Sequence, residues 1–187
     1  MNNFKNTTGN YGWGTIVLHW ILAILIIGTW ALGKYMVGLD YYDSLYHQAP
    51  EWHKMIGVFI AALMAFRFFW RQINPLPKPL KQHSAWQKSL AYITQLSFYG
   101  LLLLIVVTGY LMSTAEGVGI VLFAGFELPA IFPEFIENQE DVMGEWHELL
   151  TNLFLGLLIL HITGALKHHF LDKDNTLKNM IKPGETL

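Results

Sequence analysis

The sequence predicts an all-α fold, a four-helix bundle integral to a membrane, with residues 1–187 forming one domain. Three observations carry the prediction. Hydrophobic residues make up 53% of the chain and charged residues 14%, whereas soluble domains carry roughly 25% charged residues. The apolar residues gather into four runs, each long enough to cross the roughly 30 Å hydrocarbon core of a bilayer. Lys and Arg collect in the segments that such a bundle would place on one side.

The first run covers about residues 13–36. It follows a polar tail holding only Lys5, is longer than the apolar region of a secretory leader and contains His19, so it reads as a retained helix. The stretch YYDSLYHQAP, residues 41–50, is aromatic and polar and suits a membrane interface. Pro50 and Glu51 open the second helix, about residues 51–70, because proline is tolerated in a first turn and a carboxylate favours the positive end of the helix dipole. Arg71, Asn74, Pro75, Pro77 and Pro79 end it. The third run, about residues 88–112, has no histidine and offers Thr94, Gln95, Ser97 and Thr108 for contacts between helices. A loop over about residues 113–144 holds Glu116, Glu127, Glu134, Glu137, Glu140 and Asp141 but no Lys or Arg. The fourth helix, about residues 145–170, leads into a charged tail.

Four spans put both termini and the 71–87 loop on one side. That side holds ten of the twelve Lys and Arg residues, with only Lys34 and Lys54 opposite. Positive residues are retained in the cytoplasm, so both termini are expected there and the acidic loop outside.

The absence of cysteine removes disulfides, iron–sulfur clusters, zinc ribbons and covalent haem attachment through C-x-x-C-H. A metal centre must rest on His, Met or carboxylates. No basic stripe with interleaved aromatics supports nucleic-acid binding. The histidines are the informative residues. His147 and His161 are 14 residues apart, so they share one helix face about 21 Å apart along the axis. The topology puts His19 and His161 toward the cytoplasmic side, and His53 and His147 toward the outer side. Two pairs follow. Intramembrane histidines are costly and mark function. Paired imidazoles in a bundle core suit low-spin haem b, each giving a neutral nitrogen to iron. Six-coordinate iron has no open position, which favours outer-sphere electron transfer through two haems; no catalytic residue is assigned. A lone histidine can instead hydrogen-bond across helices, but four at two matched depths argue against that. Histidine pairs split this widely give zinc or copper no third or fourth ligand.

Gly57, one turn after His53, and Gly164, almost one turn after His161, would let a flat macrocycle approach the backbone. Arg67 lies 14 residues after His53, at the depth of the cytoplasmic pair, where a guanidinium suits haem propionates; it also reads as a snorkelling positive residue. His168, two turns beyond His161, suits hydrogen bonding or proton exchange with a quinone, or, with His169, an interfacial role. His47 and His83 fall in loops and read as solvated. Trp13, Trp52, Trp70, Trp86 and Trp146 read as interfacial belt residues.

These residues resemble those of the prokaryotic cytochrome b561 family. The resemblance runs over nearly the whole chain and is carried by LHW at 18–20, His53 with Arg67, WHE at 146–148 with LH at 160–161, and ALKHHFLDKDNTL at 165–177. It implies two haem b groups ligated by His19, His53, His147 and His161, ubiquinone chemistry involving His168 of the matching HH pair, and residence in the lipid of a bacterial inner membrane. The segment YYDSLYHQAPEWHK, residues 41–54, is similar to a sub-branch associated with a periplasmic lipocalin-like (YceI-like) isoprenoid-binding protein. Another branch acts as a superoxide:ubiquinone oxidoreductase. The expected function is electron exchange between the ubiquinone pool and a periplasmic-side donor or acceptor. Superoxide oxidation, or anchoring of the periplasmic protein, are the alternatives. The acidic 113–145 loop departs from the basic outer surface that attracts superoxide, because a negative surface lowers the local concentration of an anion.

Overall fold

A computed structural model describes residues 3–78, 80 and 83–183. Four helices dominate it: α1 (Trp13–Val37), α2 (Gln48–Ile73), α3 (Ala85–Ser113) and α4 (Gln139–Phe170). All four are long and apolar enough to cross a membrane. Large apolar side chains stand exposed along them, Ile24, Phe69 and Leu160 each being 65% or more accessible. A water-soluble bundle would bury such residues, whereas here they meet lipid. The fold is an all-α membrane bundle with a two-stranded antiparallel hairpin, β1 (Ile120–Val121) and β2 (Glu127–Leu128), between α3 and α4.

The helix ends are built by local chemistry. The first N–H groups of α1, those of Trp13 and Gly14, donate to the carbonyls of Asn3 and Phe4, so the expected polar tail folds back as a cap. Asn6, buried, accepts from the Gly12 N–H and the Thr15 hydroxyl. In α2 the Asn74 side chain donates to the Trp70 carbonyl ahead of Pro75. Ser84 and Gln87 form one arm of a capping box, the Gln87 Oε1 accepting from the Ser84 N–H at 2.8 Å.

Helix α4 begins six residues before the expected start at 145. Asn138 takes a left-handed backbone (φ 55°), and Glu140 and Asp141 occupy the first turn, where they favour the dipole. Gln139 is fully buried. Its Oε1 accepts from the Phe135 N–H at 3.0 Å and its Nε2 donates to the Leu111 carbonyl at 3.0 Å. That pair of bonds ties the connection from α3 to the start of α4.

The chain divides into two compact units. One takes the N-terminal segment to Ala23, Leu63–Tyr99 and the chain from Leu155 onward. The other takes Ile24–Ala62 and Gly100–Phe154. Each unit holds one pair of the intramembrane histidines.

Candidate functional site

In the second of these units, His53 of α2 and His147 of α4 face each other, with ring centroids 6.2 Å apart and planes crossed at 76°. Helix α3 orients His147. Its Nδ1 lies 2.9 Å from the Ile105 carbonyl and 3.4 Å from the Thr108 hydroxyl. A carbonyl can only accept, so Nδ1 carries the proton and Nε2 keeps its lone pair. Two glycines flank the rings. A Cβ added at Gly33 would lie 3.0 Å from His53 Cε1, and one at Gly109 would lie 2.9 Å from His147 Cε1. Sequence reasoning passes over both glycines, because their relation to a histidine on another helix depends on how the helices are rotated. A small residue inside a span was the only signal.

In the other unit, His19 of α1 and His161 of α4 face each other at 6.3 Å, with planes at 69°. Phe98 of α3 meets His161 edge-on at 5.3 Å. Arg67 of α2 lies within electrostatic reach of both imidazoles. Its Nη1 is buried with no hydrogen-bond partner among the described residues. Gly14 admits the Trp70 ring, and the Trp70 indole N–H donates to the Thr15 hydroxyl at 3.1 Å. Trp70 therefore packs against α1 as well as standing near a helix end. A Cβ at Gly57 or Gly164 would meet nothing within 4 Å, so no protein atom demands glycine at either position.

His168, in the last turn of α4, is not free. Its Nδ1 lies 2.9 Å from Asp174 Oδ2 and 3.0 Å from Asp172 Oδ2. His83 corrects an expectation. It is not a solvated loop residue, because its side chain is only 16% exposed and its Nε2 lies 2.9 Å from the same Asp174 oxygen. The cause is the tail, which turns back after α4 with Lys173 in the left-handed region (φ 54°) and sets the Asp174 N–H against the His168 carbonyl. Burial alone would raise the Asp174 carboxyl. Hydrogen bonds from His83 and the Thr176 backbone N–H, with the charge of His168 nearby, outweigh that and hold it below the usual carboxylate range.

Chemically, the molecule thus offers two facing imidazole pairs, a half-buried guanidinium near one of them, and a polar His–Asp cluster at the end of α4. The family described as prokaryotic cytochrome b561 matches over residues 10–183. Cytochrome b561 homolog 2 of Escherichia coli (strain K12) is 42% identical over 179 residues, covering 96% of this chain and 95% of that one. Cytochrome b561 homolog 1 of the same organism is 27% identical, covering 97% and 98%. A probable superoxide oxidase CybB of Yersinia pestis is 27% identical, covering 89% and 92%. The chain belongs to the prokaryotic cytochrome b561 family, membrane proteins that bind haem b and transfer electrons.

Proposed function

We propose that this protein carries electrons between the ubiquinone pool and a donor or acceptor at the outer face of a bacterial inner membrane, using two haem b groups, one held by His53 with His147 and one by His19 with His161. The observation that carries the reading is the recurrence of one geometry: each unit holds two facing imidazoles a little over 6 Å apart, at 6.2 and 6.3 Å. Two metal–nitrogen bonds of about 2.0 Å each, together with the two ring radii, ask for roughly that separation. Haem b, when bound, supplies reversible one-electron chemistry.

The chain's own residues then have defined tasks. The Ile105 carbonyl holds the His147 proton on Nδ1, which leaves Nε2 as the donor and raises its basicity. Gly33 and Gly109 leave room for the two rings of that pair. The open space beside Gly57 and Gly164 suits a flat macrocycle. Arg67 brings a guanidinium whose buried Nη1 has no hydrogen-bond partner among the described residues, which suits a propionate. His168, with Nδ1 anchored on carboxylates, presents Nε2 as a hydrogen-bonding and proton-exchanging atom for a quinone. Both termini, and hence His168, face the cytoplasm on the distribution of Lys and Arg.

The deciding experiment is anaerobic stopped-flow absorbance on the oxidised, haem-loaded protein. Fast reduction by ubiquinol alone is expected. Haem bands that do not respond to ubiquinol would overturn the quinone assignment. A second reading, superoxide oxidation with ubiquinone as acceptor, draws on the likeness to the probable superoxide oxidase. Against it stands the 113–144 segment, with six acidic residues and no Lys or Arg. Reduction by a superoxide source that superoxide dismutase abolishes would favour this second reading. The same acidic segment exposes Phe123, Phe126 and Phe135, which suits docking of a periplasmic protein such as an isoprenoid-binding lipocalin-like partner. Co-purification that is lost when residues 113–138 are replaced is the expected result.

A further inference from the structure

Apart from the imidazole pairs, one cluster among the described residues gathers metal-binding side chains from separate segments of the chain. His83 comes from the approach to α3, His168 from the last turn of α4 and Asp174 from the turn beyond it. His83 Nε2, His168 Nδ1 and a carboxylate oxygen of Asp174 all lie within 4.8 Å of one another. Both imidazole nitrogens stand 2.9 Å from Asp174 Oδ2.

We propose that His83, His168 and Asp174 form a binding site for a divalent transition metal of the zinc class. The first argument is charge. The Asp174 side chain has no solvent exposure, and a buried carboxylate needs a compensating cation. Among the described residues, no Lys or Arg forms an ion pair with it; its partners are His83 and His168, each at 2.9 Å, and these would serve a bound ion as neutral ligands. The nearby Lys167 is engaged by Asp172, at 2.6 and 2.9 Å. The second argument is geometry. Two imidazole nitrogens and one carboxylate oxygen form a mixed N and O set that zinc accepts at about 2.0–2.2 Å, with a fourth position left for water. Adjacent ligand atoms of such a tetrahedron stand about 3.4 Å apart; the two nitrogen–oxygen contacts, at 2.9 Å, need to open by roughly 0.5 Å to reach it, and the two nitrogens already lie within 4.8 Å of each other.

The third argument is support from outside the ligand set. Asp174 Oδ1 accepts from the Thr176 N–H at 2.8 Å, which leaves Oδ2 to point at the imidazoles. The Asp174 N–H donates to the His168 carbonyl at 3.0 Å, and Lys173 holds the left-handed backbone that makes this possible. Binding replaces the contacts of the two imidazoles with Asp174, and that of His168 Nδ1 with Asp172, by dative bonds from His83 Nε2 and His168 Nδ1 to the ion. Each imidazole then carries its single proton on the opposite nitrogen, and any second proton is released to solvent. A bound ion ties the segment entering α3 to the end of α4. The proposal does not depend on the haem or quinone reading.

The test uses untagged, haem-loaded protein stripped with a chelator. It is dialysed to equilibrium against Zn²⁺, and bound metal and haem are both quantified. One tightly held zinc per chain is expected. His83→Ala and Asp174→Asn should each weaken it about tenfold or more while haem content stays at the wild-type level. X-ray absorption at the zinc edge should report two imidazoles and light-atom ligands. Wild-type protein that binds no more zinc than His83→Ala overturns the proposal and leaves the cluster as a hydrogen-bonded one. Should Asp174→Asn fail to fold, His83→Ala decides alone, because His83 lies outside the helices and contributes no imidazole to either pair.

Discussion

At the scale of single residues, the imidazole pairs depend on what surrounds them. A side chain at Gly109 would force the His147 ring to shift, and one at Gly33 would crowd the His53 ring at 3.0 Å. Gly109→Val should displace the His147 ring, cost about 1–3 kcal/mol of stability through overpacking and, on the proposed two-haem reading, lower haem content from two per protein toward one. Pyridine haemochromogen stoichiometry reads this directly, and two haems retained at wild-type potentials would refute it. His147→Ala and His161→Ala should each remove a different haem, with distinct losses in the α-band. The imidazole planes cross at 76° and 69°, which leaves the two upper dπ levels of a ligated iron close in energy. Strongly anisotropic low-spin ferric signals are expected by electron paramagnetic resonance; spectra typical of parallel rings would show that the imidazoles rotate on loading. Asp174 adds a pH prediction. Its folded carboxyl lies below the ordinary value of 3.8, so its stabilisation is complete above that pH and is lost as pH falls below it. Amide protection over residues 171–183, measured relative to the intrinsic exchange rate, should therefore fall on acidification below about pH 4.

At the scale of elements, the connections do more than close the bundle. Gln139 joins the end of α3 to the start of α4 through one accepted and one donated hydrogen bond from a fully buried side chain. Gln139→Ala leaves the Phe135 N–H and the Leu111 carbonyl without this partner, at a cost of about 1–3 kcal/mol for each group left unsatisfied. Thermal unfolding in detergent should register the loss, with faster amide exchange over residues 132–142. At the other end of α4, the Trp20 indole donates to the Met180 carbonyl at 2.6 Å, so the tail is held against α1. The capping residues Ser84 and Gln87 spell S-x-x-Q, which the expected start of α3 at about residue 88 passes over, and their sequence does not say that His83, one residue earlier, turns toward Asp174.

At the scale of the whole molecule, lipid replaces water around the helices, and the exposed Ile24, Phe69 and Leu160 are its partners. The proposed orientation rests on ten of twelve cationic residues falling on one side. A fluorescent protein fused after residue 187 should fold and fluoresce in the cytoplasm, and alkaline phosphatase fused there should stay inactive; the reverse pair of results would invert the topology and with it the side assigned to His168.

The four spans and their approximate limits were determined by the sequence alone, because bilayer thickness dictates the length of an apolar run and little else competes with it. The pairing of His53 with His147 and of His19 with His161 was also legible, because helical rise converts sequence position into depth once the spans alternate in direction. Depth is one coordinate. Rotation about each helix axis is set by packing, and only the tertiary structure shows Gly33 and Gly109 against the rings and Arg67 with a buried, unpartnered nitrogen. The earlier start of α4 escaped the sequence for a related reason, since the Gln139 side chain finds its Leu111 partner 28 residues away. The cluster of His83, His168 and Asp174 was the least legible feature. Its first two members are separated by 85 positions, and hydrophobic periodicity carries no information about where loops return. Only the reversal at Lys173 brings that carboxylate beneath the two imidazoles.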